Sequence, residues 1–64
     1  MKLMYDKEAD AAFIRLTRRR PDGAIELQEG VILHVTRDNK IVAIEILDAK
    51  DKLPKNALIE SSAA

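Results

Sequence analysis

Three carboxylates at alternate positions, Asp6, Glu8 and Asp10, stand in the stretch YDKEADAAFIRL at residues 5 to 16. Oxygen ligands at the first, third and fifth positions of a loop are what a calcium ion takes. Such a loop also needs glycine at its sixth position and a bidentate glutamate at its twelfth, and here those positions hold Ala11 and Thr17. The spacing therefore reads as a hairpin corner. Asp6 opens the turn, and its carboxylate accepts backbone N–H groups of the loop.

His34 and Glu45 are the second constellation. Alternation puts both on one face of neighbouring strands, as diagonal neighbours if Val35 lies opposite Val42. A histidine oriented by a carboxylate is the minimum for general-base work. The chain has no cysteine, and its serines, Ser61 and Ser62, lie in the tail. A nucleophilic triad thus lacks its third member, and the pair reads as an exposed cross-strand contact.

The third constellation is TRRRPDG, with Arg18, Arg19 and Arg20 at one hairpin end and Arg15 and Arg37 as neighbours. An arginine fork donates two hydrogen bonds at once to a phosphate or a carboxylate. No aromatic side chain is interleaved for stacking on bases, and no recognition helix is visible. A solvated charged end is the plain reading; nucleic acid and an acidic protein surface are the alternatives.

The elements that must position these groups are bounded by size. A chain of 64 residues makes one domain, spanning 1–64. At that length only about 60% of the unfolded chain's surface is hidden, so the core is thin. Without cysteine there are no disulfides or thiolate metal sites, and one histidine leaves zinc little to hold. Eleven basic and eleven acidic residues cancel, which argues against long-range attraction to nucleic acid or anionic membrane. No apolar run is long enough to span a bilayer and no signal-peptide stretch opens the chain, so a cytoplasmic protein with no cofactor and no membrane partner is expected.

Two-residue periodicity recurs along the chain. Leu3 and Tyr5, then Ala12, Ile14 and Leu16, then Ile25, Leu27, Val31, Leu33 and Val35, and last Val42, Ile44 and Ile46 share an apolar face. Four strands are predicted, near 2–6, 11–18, 24–36 and 40–48. RPDG at 20 to 23 and DN at 38 and 39 carry turn chemistry, and Gly30 marks a bulge or bend inside the third strand. Directly opposed residues must share a face. Tyr5 opposite Ala12, Leu16 opposite Leu27 and Val35 opposite Val42 all satisfy this with even-length loops, which predicts neighbouring antiparallel strands. Pro54 suits a first helical turn, so a helix is predicted near 54–61, with Leu53 and Leu58 lying on the apolar face. The fold class is α+β and mostly β: a four-stranded antiparallel β-meander with a short C-terminal helix packed on one face.

The opposite face is not cleanly polar. Met4, Phe13, Ile32, Ile41, Ala43 and Leu47 point that way, which reads as a contact surface for a second copy or another partner, the alternative being scattered surface apolars that need no explanation. Phe13, Ile32, His34 and Glu45, together with Arg18, Arg19 and Arg20, are therefore the candidate interaction residues.

YDKEADAAFIRL, GVILHV and IVAIEILDA together resemble small bacterial proteins of domain-of-unknown-function family 2283. The resemblance runs from about Met1 to Lys50. It implies a compact β-meander, with a helix in longer members, and no activity, cofactor or catalytic residue. Some members are encoded beside small toxin-like proteins, which implies an antitoxin-like binding role. The chain departs from the pattern at His34, where an acidic residue is common, and at RDNK, which replaces an Asp-Gly turn. The expected function is non-enzymatic: a protein–protein interaction module acting as a homodimer or as a binder of a small partner protein. The alternative is nucleic-acid binding through the Arg18–Arg20 hairpin end.

The face assignment has a direct consequence for stability. Ile44→Ala, at an inward position, should cost about 2–5 kcal/mol in chemical denaturation. Equal tolerance of Ile44→Asp and Glu45→Ala would show the faces reversed.

Overall fold

A computed structural model describes residues 2–59 and the backbone of residues 62–63. The elements run β1 (Lys2–Asp6), β2 (Ala11–Arg15), β3 (Gly23–Gln28), β4 (Val31–Val35), β5 (Ile41–Leu47), α1 (Ala49–Lys52), α2 (Lys55–Ile59) and β6 (Ser62–Ala63). They form one sheet in the order β3-β4-β5-β2-β1-β6. Five strands pair antiparallel, and β6 joins the outside of β1 in parallel.

The first hairpin has the register that the alternation predicts, with Tyr5 opposite Ala12 and Asp6 opposite Ala11. β3, β4 and β5 also follow one another as antiparallel neighbours, but the two parts do not join into one continuous meander. β2 pairs with β5 rather than β3, so Leu16 and Leu27 are not opposed and RPDG is no hairpin loop. It belongs instead to a crossing, residues 16–22, that passes the ends of β5 and β4 to reach the far edge.

The predicted strand 24–36 is two strands. Gln28 lies opposite Val31, so Glu29 and Gly30 reverse the chain, and Gly30 takes φ 80°. Pairing an even residue with an odd one would turn one strand's apolar side chains outward. The register shift between Glu26 and Gln28 absorbs that mismatch, leaving Leu27 as the extra residue and restoring Ile25 opposite Leu33.

DN is likewise part of a longer turn. His34 lies opposite Ala43 as expected, but a shift then sets Val35 against Ile41 instead of Val42. Thr36 closes this turn: its N–H donates to the Lys40 carbonyl at 2.9 Å, and its hydroxyl accepts the Lys40 N–H at 3.0 Å. Asn39 takes the positive φ of 64° that an asparagine tolerates.

Helices cover one half of one face. Tyr5, Ala12, Ile46 and Ala49 are buried together, with Leu3, Ile44, Leu53 and Leu58 packed against them. Leu53 and Leu58 thus act as the expected lid, although the helix that carries Leu58 spans Lys55–Ile59, and residues 60 and 61 of the predicted 54–61 lie outside the described residues. The unexpected element is α1, which enters through Asp48 at φ 52°.

Gly30 is buried between this lid and the sheet. A Cβ there would stand 2.6 Å from Lys52 Nζ and 3.4 Å from the Leu47 carbonyl oxygen. Lys52 Nζ donates to that same carbonyl at 2.6 Å, and the Leu47 N–H donates to the Gly30 carbonyl at 2.8 Å. Gly30→Ala should cost about 1–2 kcal/mol for the left-handed backbone alone. In urea unfolding the cost should shrink in a Lys52→Ala background, because the side chain that must give way is gone; an equal cost in both backgrounds would place the strain in the backbone only.

Candidate functional site

The acidic corner is a structural joint. Asp6 Oδ1 accepts the N–H of Glu8 at 3.0 Å and of Ala9 at 3.4 Å, so it opens the turn as expected. Asp10, at φ 50°, does more. Its Oδ1 accepts the Tyr5 hydroxyl at 2.8 Å and the Lys50 N–H at 3.1 Å, while its carbonyl accepts the Ala49 N–H at 3.0 Å. One residue therefore ties the first hairpin to the start of α1. Among the described residues, no three His, Cys, Asp or Glu side chains converge to hold a metal ion.

Four of the candidate interaction residues come together on the face away from the helices. Met4, Phe13, Glu45 and Ile32 lie in one row across β1, β2, β5 and β4. His34 sits in the next row, opposite Ala43, hence diagonal to Glu45. The two side chains meet at 3.0 Å between Nε2 and Oε1, with 25% and 32% of their surfaces exposed. The His34 ring also lies 5.8 Å from the Phe13 ring, tilted by 42°. Beside Phe13 and Glu45 a shallow depression of about 300 Å³ is lined by Met4, Asp6 and Ala11.

This geometry holds a histidine ring in one orientation. Of the described hydroxyls, Tyr5 is committed to Asp10, Thr17 accepts the Arg19 N–H at 3.3 Å, and Thr36, itself buried, donates to Asp38 Oδ1 at 2.5 Å. That hydrogen bond is the main reason the Asp38 carboxyl is held below the usual carboxylate range; its own N–H and the Arg19 charge add to it, against the effect of burial.

Arg18, Arg19 and Arg20 are elsewhere. They lie exposed in the 16–22 crossing, at the end of the sheet rather than on its face. The seven candidates therefore form two surfaces. The alternation found the first because period two survives any strand order. It missed the uncovered part of the helix side described below, since no sequence pattern says how far a lid reaches.

Tyr5 offers a spectroscopic check on the joint. Its phenol is raised above the ordinary 10.0, first by the hydrogen bond to Asp10, then by burial and by the Asp10 and Asp6 charges. A raised value means that folding favours the neutral phenol, so this contribution is whole below pH 10 and is lost as pH rises through the folded-state value. Tyr5 is the only tyrosine. Its absorbance titration at 295 nm should therefore have a midpoint above that of the urea-unfolded chain, and Asp10→Asn should narrow the gap; coincident midpoints would dissolve the joint.

In comparison with known proteins, the chain is 39% identical over 51 residues to a protein of Methanosarcina mazei named as a "putative hypoxanthine phosphoribosyltransferase". The alignment covers 80% of this chain and 41% of that relative, so the chain spans about two fifths of its length. No solved structure matches the chain. Residues 2–50, which carry the whole antiparallel sheet, the acidic joint and the His34–Glu45 contact, match the family described as "Protein of unknown function (DUF2283)", and the chain belongs to that family.

Proposed function

We propose that the chain is a non-enzymatic protein–protein interaction module that pairs with a second copy of itself along β3. One observation carries this reading: all six residues of β3 are exposed, although Ile25, opposite Leu33, lies on the side of the sheet that the helices bury. Ile25 is 43% and Leu27 61% exposed.

The cause is reach. Six strands about 4.8 Å apart make a sheet roughly 24 Å wide. Helices of four and five residues are about 6 and 7.5 Å long and about 10 Å across. They cover β1, β2 and β5, and the core they seal contains no residue of β3 or β4. β3 is also an outermost strand, so the backbone edge facing away from β4 has no strand against it.

Strand addition at such an edge supplies main-chain hydrogen bonds, and cross-strand side chains set the register. A two-fold axis through Ile25 sets Ile25 against Ile25 of the second copy and Glu26 against Ala24. A two-fold axis through Glu26 would oppose like charges, so the first register is favoured. A small partner protein could add its own strand to the same edge, which is the antitoxin-like form of this reading. Phosphoribosyl transfer, named for the relative, is not proposed: phosphate cradles are built from glycine-rich loops at helix N-termini, and this chain has two glycines, neither before a helix.

Sedimentation equilibrium tests the pairing. The expected mass rises with concentration from 7.2 kDa toward twice that value. Ile25→Lys, at an exposed position, should stay at the lower mass with an unchanged circular dichroism spectrum. A wild-type chain that remains at 7.2 kDa up to millimolar concentration would overturn the reading.

A further inference from the structure

The zero net charge conceals a separation of charge along the strands. One end of the sheet is marked by the row Lys2, Arg15, Ala43, His34 and Ala24, and the other by Asp6, Ala11 and Leu47. Beyond the first row lie the crossing 16–22 and the turn 36–40. Arg18, Arg19, Arg20, Arg37 and Lys40 on these loops join Lys2 and Arg15, against Asp22 and Asp38 alone. Seven positive and two negative charges leave this end at +5. The other described residues carry four cations and eight anions, a net of −4.

Topology forces the cations together. Because β5 and β4 lie between β2 and β3, the crossing must span three strand spacings, about 14 Å, over the top of the 36–40 turn. It is pinned there: the Leu16 N–H donates to the Val42 carbonyl at 2.8 Å, the Asp22 N–H to the Val35 carbonyl at 2.8 Å, and the Arg37 N–H to Asp22 Oδ2 at 2.8 Å. Both acids at this end are thus engaged by backbone or hydroxyl donors. Among the described residues, none of the seven cations is held in an ion pair.

We propose that this ridge binds the phosphodiester backbone of nucleic acid without regard to base sequence. Five of the seven cations are arginines, whose forks match phosphate oxygens. A nucleic-acid strand offers a charge about every 3.4 Å, so several phosphates fit along 14 Å. Tyr5 is buried in the core and Phe13 lies on the sheet face one row below this end, against His34, so the loops themselves offer bases no aromatic side chain to stack on and the backbone is what they read. A protein interface would need an apolar centre; the exposed apolar side chains here, Leu16 and Ile41, stand at the ends of the two loops, and residues 17–22 and 36–40 carry no large apolar side chain.

Fluorescence anisotropy with labelled 20-mer duplex DNA and RNA between 50 and 200 mM salt provides the test. Affinity should fall steeply with salt and differ little between base sequences. Arg18→Gln/Arg19→Gln/Arg20→Gln, in an exposed loop, should keep the parent's melting temperature and lower the slope of log affinity against log salt by about 2.7 for duplex DNA, at 0.9 per lost phosphate contact. Lys7→Gln/Lys50→Gln/Lys55→Gln removes the same formal charge away from the ridge and should leave the slope unchanged. No binding at 50 mM salt, equal weakening by both triple variants, or equal binding of labelled polyglutamate would each overturn the proposal.

Discussion

A single carboxylate decides where the lid goes. Asp10 Oδ1 accepts from Tyr5 on β1 and from Lys50 on α1, and the Asp10 carbonyl accepts from Ala49. Lys50 stands 40 residues from Asp10 in the chain, and the left-handed backbone at Asp10 aims both of its acceptors at α1. With α1 anchored there, Ala49 reaches zero exposure against Ala12, which is also fully buried. Two alanines at this contact let helix and sheet approach closely, so a thin core can still be tightly packed. The half-buried Asp10 carboxylate thus has one oxygen shared between two donors from different segments, so the joint works as a unit.

That anchoring also sets what the lid cannot do. α1 begins where β5 ends, and α2 follows after only Leu53 and Pro54, so both helices stay over the half of the sheet near Asp10. On the far half, Val35 of β4 is buried and Val31 and Leu33 are half-buried, but Ile25 and Leu27 of β3 are exposed. Leu27 is the extreme case, displaced by the register shift and 61% exposed. The sheet therefore has one finished half and one half whose side chains are suited to a second surface.

Much of this was legible in the residues, and the exceptions have definite causes. Alternation located β1 and β2, placed Leu53 and Leu58 on the correct face, and put His34 diagonal to Glu45. Face parity also fits a continuous strand through Gly30, because Ile25, Leu27, Val31 and Leu33 are all odd-numbered; only the register shift at Leu27 makes a reversal compatible with the same parity. Strand order was beyond reach for a related reason. RPDG satisfies a tight hairpin and a pinned crossing equally well, and the choice lies in Asp22 contacting Val35 and Arg37, partners more than ten positions away. α1 was hidden because ILDAK continues the apolar pattern of β5, while the break comes from a left-handed aspartate that periodicity does not register. Net charge is silent on placement: a sum of zero contains no information about which end of a strand each residue occupies.

The two margins of the sheet are unequal. Ser62 and Ala63 lie against Met4 and Tyr5, so the middle of the β1 margin is occupied by a later segment of the chain, while among the described residues β3 has no strand on its outer side. A sheet open on both sides can add copies indefinitely and grow into a filament. Among the described residues β3 is the open margin, and the two-fold pairing proposed along it would consume both open margins at once. On that proposal, assembly by strand addition would be self-terminating, with Ser62 and Ala63 as its stopper.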